Sequence, residues 1–434
     1  MKKIFISFSI SFLFCLIINA QSENEITYIK AGKLFDGKSN QLLSNVIIGI
    51  RGQKIISVNQ NQELEPGAKV IDLSNSTVLP GLIDTHTHIV LHSGNYDNQI
   101  IKETPEYRAL YGASNAKITL ESGITTIRDV GNEGAGFADI ALRDAINNGI
   151  VPGPRILTCI QPVSSTGSYN LVGYSPYITL PNISYVADGP EKIREKVRLL
   201  VKEGADLIKV YMESYEKKQL RKDLLTGAMN YTLDELKALV DESHSAGLKV
   251  AAHTYSDKAA KIAIEAGVNS IEHGLYLSEE TFQLMAKKNI YYVPTLLVYE
   301  MWRDGKIFGG ISDEDKIKLK NTCEEHIKTF KRALKTPVKI CFGTDTFELP
   351  GTNAQEIELM VKYGMNPERA LISATSLAAE LLGIVDQTGV IEVNKIADLI
   401  AVDGNPIDNP AALRNVKFVM KEGKVFVNKI PITR

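Results

Sequence analysis

The stretch Val78-Leu79-Pro80-Gly81-Leu82-Ile83-Asp84-Thr85-His86-Thr87-His88 runs apolar into two histidines set two residues apart. Side chains on a strand alternate between faces, so His86 and His88 point the same way. Two imidazoles on one face at a strand end begin a metal site. Further candidate ligands follow at the ends of later apolar runs. They are Lys209 in Leu207-Ile208-Lys209-Val210-Tyr211, His253 after Ala251-Ala252, His273 in Ile271-Glu272-His273-Gly274, and Asp345 after Gly343-Thr344. Four of the chain's seven histidines occupy such positions, a concentration that core-filling or surface histidines have no reason to show. His244 and His326 fall in helical patterns and are expected to face solvent. His92 follows the first strand, where it could line a pocket, but the sequence supplies no partner for it.

Lys209 is the odd member of the set. A buried ammonium in an apolar strand is costly and is repelled by metal cations. It can stay an amine with a lowered pKa, or react with carbon dioxide to give a carbamate whose two oxygens bridge two cations. The plain alternative is a lysine whose stem runs to the rim and leaves its charge in water. For Asp345 the plain alternative is a helix N-cap in Thr344-Asp345-Thr346.

These residues need a frame that brings distant strand ends together. The middle of the chain alternates strands and helices, which predicts parallel βα units. Strands are expected over 81–88, 125–129, 155–159, 207–211, 249–253, 270–273, 291–295 and 339–344. Helices are expected over 105–122, 190–203, 232–246, 278–288 and 312–334, with a capping box at Thr232-Leu233-Asp234-Glu235. Eight such units make a TIM (β/α)8 barrel, whose chemistry sits at the C-terminal strand ends. The flanks, 21–80 and 384–434, read as short strands and turns. Neither buries a core alone, so the two are expected to pair into one small β-sandwich domain, with the barrel domain, 81–383, inserted between them.

The 434 residues are 44% hydrophobic and 23% charged with a net charge of −2, so no basic surplus points to nucleic acid. Lys2 and Lys3 precede a short apolar run from Ile4 to Ile18 and a small residue, Ala20. That pattern reads as a signal peptide over 1–20, hence an exported protein, periplasmic or secreted. The run is too short for a membrane span, and Phe14 is too bulky before Cys15 for a lipidated cysteine. Cys159, Cys323 and Cys341 are too few and too scattered for a disulfide framework.

Taken together, these motifs resemble the amidohydrolase superfamily, in its binuclear metal type. Besides the ligand motifs, Gly123-Ile124-Thr125-Thr126-Ile127-Arg128-Asp129-Val130-Gly131 and Ala397-Asp398-Leu399-Ile400-Ala401-Val402-Asp403-Gly404-Asn405-Pro406 carry the likeness. It is strongest toward the imidazolonepropionase-like branch, which includes Xaa-Pro dipeptidases (prolidases) and ochratoxinase-like amidases. The resemblance implies His86, His88, Asp345 and a carbamate on Lys209 around one divalent metal ion, and Lys209, His253 and His273 around a second. Imidazole and carboxylate donors suit Zn2+, with manganese or iron as other fits. Such a pair would activate a water against the scissile carbonyl, with Asp345 as general acid and base passing the proton to the leaving amine.

The resemblance also implies a small-molecule substrate, a dipeptide or N-acyl amino acid, cleaved at its amide bond. Family members commonly carry a loop histidine near the position of Tyr169, where the phenol could make the same hydrogen bond or simply pack. Tyr255, two residues beyond His253, faces the same side and is a candidate contact for a substrate carboxylate. Tyr174, Tyr177 and Tyr185 continue the same loop. Lys217, Lys218, Arg221 and Lys222 form a charge run that either draws an anion or is solvated, and Trp302, near Tyr299 and Met301, could wall the pocket. Cyclic-amide hydrolysis and a non-catalytic periplasmic binding protein are the alternatives, and a homo-oligomer is left open.

Overall fold

A computed structural model of the chain describes residues 25–169, 171–175, 177–214, 221, 223–307, 312–346 and 349–430. The expected leader therefore lies outside the described residues, as do Lys217, Lys218 and Lys222. The chain divides into two compact units, one from both chain ends (up to Gly81 and from Val385 on) and one spanning Leu82–Ile384.

In the first unit, β1 (Ile26–Leu34), β2 (Leu43–Arg51), β3 (Lys54–Asn59) and β4 (Lys69–Pro80) come from the N-terminal flank. Three strands from the other end of the chain complete a seven-stranded sheet. Its order is 424–428, 416–421, 399–403, β4, β1, β2, β3. Every second residue of these strands is buried, for instance Ile29 and Ala31, Val46, Ile48 and Ile50, Leu399 and Ala401, Phe418 and Met420. The sheet curls over this core until its first edge meets the lead-in to its later strands. Ile55 N donates to Lys395 O at 2.9 Å, and Asn394 N returns a bond to Ile55 O at 2.9 Å. The expected sandwich is thus one sheet folded on itself.

The second unit is a TIM barrel. Its strands are β5 (Leu82–Thr87), β6 (Ile124–Asp129), β7 (Arg155–Thr158), β8 (Leu207–Tyr211), β9 (Lys249–Ser256), β10 (Ser270–Tyr276) and β11 (Tyr291–Val293). Residues 339–345 take the eighth place with few ladder bonds. Tyr292 N donates to Lys339 O at 2.8 Å and Thr85 N to Phe342 O at 3.1 Å, which closes the ring between β11 and β5. Between β7 and β8 the link is Asp206 N to Thr158 O at 2.7 Å. Strands β5 and β6 are buried at every residue, as parallel strands covered on both faces must be.

The helices fall between strands as the pattern requires: α1 (Tyr96–Lys102), α2 (Pro105–Glu121), α3 (Ala138–Asn147), α4 (Pro190–Glu203), α5 (Leu233–Ser245), α6 (Asp257–Ala266), α7 (Glu279–Lys287), α8 (Leu296–Arg303) and α9 (Asp313–Ala333). Three more helices follow the eighth strand position, within 355–382. Local chemistry sets their ends. Pro105 and Pro190 open α2 and α4, where a missing N–H costs nothing. Thr232 and Glu235 form the expected capping box on α5. Gly204 ends α4 with φ 90, which a side chain would resist.

Candidate metal centre

At the C-terminal rim of the barrel, β5 delivers His86 and His88 to one face, as period-two alternation requires. Asp345 meets both: its Oδ1 lies 3.6 Å from His86 Nε2 and 3.2 Å from His88 Nε2. Each ring is held from behind. His86 Nδ1 is 2.8 Å from Glu272 Oε2, and His88 Nδ1 is 2.7 Å from the Gly131 carbonyl. Anchoring Nδ1 in this way turns Nε2 toward the centre, the arrangement that outer partners impose on metal-binding histidines. His273 joins them with its ring centroid 4.9 Å from His86, its Nδ1 2.8 Å from Thr295 Oγ1 and 3.9 Å from Asp345 Oδ2. Donor atoms of His86, His273 and Asp345 all lie within 4.8 Å of one another, close enough to hold one ion.

His253 packs its ring 4.6 Å from that of His273. Lys209 is 1% exposed, and its Nζ lies 5.6 Å from the Tyr211 ring. It does not run to the rim: burial lowers its pKa, against the pull of Glu272 and Asp345. Burial, and next the charge of Lys209, push His86 and His253 well below the usual imidazole range. Burial and the neighbouring His253 do the same to His273. Neutral imidazoles keep the lone pairs a cation needs. His88 differs. Burial would lower it, but the hydrogen bond and charge of Asp345, with Glu133 and Asp129 behind, raise it to about 9.

Backbone strain completes the cluster. Glu272 follows the strand alternation into the barrel, so its neighbour His273 would face away. A left-handed backbone at His273, φ 66, turns its ring back to the centre. Thr295 at φ 49 and Asp345 at φ 56 are bent in the same sense. Such conformations cost about 1–3 kcal/mol each and persist where surrounding structure holds them.

Sequence reasoning missed the residues behind the candidate ligands. Glu272 is fully buried; it takes two bonds from Arg128 Nη2, at 2.8 and 2.9 Å, and one from Ser270 Oγ at 2.5 Å. Arg128 spans the barrel interior to reach it, also donating to the Thr85 carbonyl. Asp84 accepts from His86 N at 3.1 Å, Thr344 Oγ1 at 2.7 Å and Asn353 Nδ2 at 2.7 Å, which ties the first strand to the eighth. Burial raises its pKa to about 6. A charged residue inside an all-buried strand was the available clue in each case.

Two of the plain histidine readings need correction. His326 is 1% exposed rather than solvent-facing. It shares the buried stripe of α9 with Leu319, Cys323 and Phe330, and its Nε2 lies 3.4 Å from the Tyr292 hydroxyl. His92 does find a partner: its Nε2 is 2.9 Å from Glu103, and its ring stacks on Tyr111 with centroids 3.9 Å apart. His244 is exposed, as expected.

Among the candidate substrate contacts, Tyr255 sits 4.6 Å, centroid to centroid, from His253, and Tyr169 stacks on Tyr211 at 3.5 Å. Tyr299 stands edge-on to His273 at 5.9 Å and shares an apolar cluster with Tyr255, Met301 and Trp302. Three loop residues point elsewhere. Tyr174 bonds Asp97, Tyr185 bonds Glu203, and Tyr177 is 96% exposed. Arg221 pairs with Asp223 on the surface.

Residues 77–426 match the Amidohydrolase family. Ochratoxinase from Aspergillus niger is 30% identical over 441 residues, covering 95% of this chain and 88% of that protein. Imidazolonepropionase from Fusobacterium nucleatum is 22% identical, covering 83% and 85%. A crystal structure of a Xaa-Pro dipeptidase with bound methionine in its active site superposes with a TM-score of 0.84 at 36% identity, over 93% of this chain and all of that one. With its barrel and its rim of buried histidines, the chain belongs to the amidohydrolase family and is a hydrolase of carbon–nitrogen amide bonds.

Proposed function

We propose that this chain is an exported, binuclear metal-dependent amidohydrolase that cleaves the amide bond of dipeptides or N-acyl amino acids. The observation that carries the reading is the convergence of His86, His88 and His273 on Asp345, with the Nδ1 atoms of His86 and His88 already bonded away from it, to Glu272 and the Gly131 carbonyl. His86, His88 and Asp345 would hold one cation, His253 and His273 the other, with Lys209 as a carbamate shared by both. When bound, two zinc ions supply Lewis acidity to the carbonyl and make a water nucleophilic near neutral pH.

The protein's own part is positioning and proton transfer. Asp345 is the most open of the convergent groups, its side chain 17% exposed against 1% for His86 and 3% for His273. Its carboxylate can take the proton lost by the attacking water and pass it to the departing nitrogen, which cannot leave as an anion. The apolar cluster around Tyr255, Tyr299 and Met301 lies beside His253 and His273, and suits an apolar side chain next to the scissile bond. Export rests on the leader alone; N-terminal sequencing of the protein from its native host tests it, with cleavage after Ala20 expected.

The direct test is turnover of a panel of dipeptides and N-acyl amino acids by protein loaded with zinc and bicarbonate, with metal content measured alongside. About two zinc per chain with hydrolysis, lost in Lys209→Ala and Asp345→Asn, is expected. Full activity in either variant overturns the assigned roles.

A further inference from the structure

Strand β11 ends at Val293, and Thr295 takes the N-cap place of α8. An N-cap threonine ordinarily has an extended backbone and lends its hydroxyl oxygen to an early N–H of its own helix. Thr295 does neither. Its backbone is left-handed, φ 49 and ψ 50, and its side chain makes no capping bond to α8. Its Oγ1 lies instead 2.8 Å from His273 Nδ1. The N–H groups that open α8 are met by a carboxylate 60 residues further along. Glu356, in the first turn of α10 (Gln355–Lys362), accepts Leu296 N on Oε1 at 2.9 Å and Leu297 N on Oε2 at 2.6 Å. It is wholly buried. The positive end of a helix suits an anion in that place. The turn that carries Glu356 is itself tied down. Glu356 N donates to Asn353 O at 3.0 Å, and Asn353 Nδ2 donates at 2.7 Å to Asp84, which also takes His86 N.

His273 needs this support. Its left-handed φ of 66 is followed by φ 53 at Gly274, where a Cβ would fall 2.9 Å from atoms of Leu277 and Tyr292. The His273 carbonyl accepts the Tyr292 hydroxyl at 3.0 Å, which steadies the backbone but not the ring. The ring's rotation is set by the contact of Nδ1 with Thr295. Were Glu356 absent, the bare N–H groups of α8 would compete for the Thr295 hydroxyl, and an ordinary cap would relieve its left-handed backbone. We propose that Glu356 is a positioning residue for the metal centre: by capping α8 in place of Thr295, it frees the Thr295 hydroxyl to hold the His273 ring by Nδ1 and leave Nε2 for a cation. The inference rests on the reading of this rim as a metal centre.

The test compares Glu356→Gln, Thr295→Val, the double variant and Thr295→Ser. Gln keeps the size but sets an NH2 group against one of the two N–H donors, so half the cap is lost. Zinc affinity is read by competition with a chromophoric chelator. Glu356→Gln and Thr295→Val should each weaken it about tenfold, the low end for loss of a partner behind a metal ligand. The double variant should be no weaker than the weaker single one, because both break one chain of contacts. Thr295→Ser should bind as the wild type does. The second readout needs no metal. In nitrogen NMR of histidine-labelled, metal-free protein, the His273 ring is assigned by the signal missing from His273→Gln. That signal should shift or broaden in Glu356→Gln.

Wild-type affinity and an unmoved His273 signal in Glu356→Gln, with only the melting temperature lowered, would make Glu356 a structural cap and overturn the proposal. Additive losses in the double variant overturn the route through Thr295. Tighter zinc binding in Thr295→Val shows the hydroxyl competing with the cation, and overturns it too. If Glu356→Gln fails to fold, Glu356→Asp, which keeps the charge without the reach, takes its place with the same expected losses. Loss of fold in both assigns Glu356 to the fold and overturns the proposal. A wild type that binds no zinc, while the His273 signal still moves in Glu356→Gln, sinks the metal reading and leaves the positioning standing. No zinc and no movement sinks both.

Discussion

Replacing Glu272 by Gln isolates what a buried carboxylate does for this centre. The substitution keeps size and shape but removes the charge that faces Arg128 at 2.8 and 2.9 Å and His86 Nδ1 at 2.8 Å. Both Glu272 and Arg128 are almost wholly enclosed, with side chains 0% and 4% exposed. Removing one partner of such a pair costs about 3–5 kcal/mol, because the remaining guanidinium stays buried without its counter-charge. The effect on metal is separable. Losing an anionic anchor behind a histidine ligand weakens metal binding about 10–100-fold. Denaturation in urea with chelator present reads the first effect, and zinc competition with a chromophoric chelator reads the second. A Glu272→Gln, Arg128→Met double variant removes both buried charges. It should recover much of the stability and none of the zinc affinity. If Glu272→Gln melts and binds zinc like the wild type, the idea that Glu272 organises the site is wrong.

Asp345→Asn should lower kcat by at least about a hundredfold with the fold intact, the usual loss for a removed proton carrier; an unchanged kcat in a zinc-replete variant would exclude that role. Dialysis against a chelator should abolish turnover, and zinc with bicarbonate should restore it; restoration without any bicarbonate or carbon dioxide would speak against a carbamate on Lys209. His326 gives a pH prediction. Burial holds its pKa at about 3, against 6.5 in an open chain, so between those values the unfolded protein binds a proton that the folded one does not. Stability therefore falls as pH drops through that window. At pH 4.5 the loss from this group is about 3 kcal/mol. Metal-free His326→Phe should show a flatter dependence of urea midpoint between pH 7 and 4.5, and a parallel curve would refute the assignment. Burial also raises the thiols of Cys159, Cys323 and Cys341, Cys323 to about 12. Iodoacetamide at pH 8 should label none of the three until the protein is unfolded, as peptide mass mapping would show.

Much of the barrel was legible because its strands are short apolar runs that end in polar residues, and its helices open on recognisable caps. Thr232, Ser278 and Ser312 cap the helices at the places their types suggested. The candidate ligand positions stood out for the same reason: a histidine or lysine that ends an apolar strand has no ordinary explanation. What lay behind them did not. Arg128 and Glu272 meet across 144 residues of sequence, and no local pattern pairs them. The turn that brings His273 inward is a backbone choice invisible in Ile271-Glu272-His273-Gly274, where alternation alone would aim either Glu272 or His273 at the centre, not both. His326 misled for a different reason. Helix α9 is dominated by charged residues, which hide the narrow stripe of Leu319, Cys323, His326 and Phe330 on its inner face.

The folded-over sheet has a consequence for how the protein is made. Strand β4 takes one neighbour from the start of the chain, β1, and the other, 399–403, from near its end. During synthesis the early strands must wait, with a bare apolar ladder, until nearly every residue has been added. Such a ladder is a template for pairing with other chains. Truncation before Leu399 would leave it permanently uncovered, and the product should aggregate even with all the candidate ligand residues present.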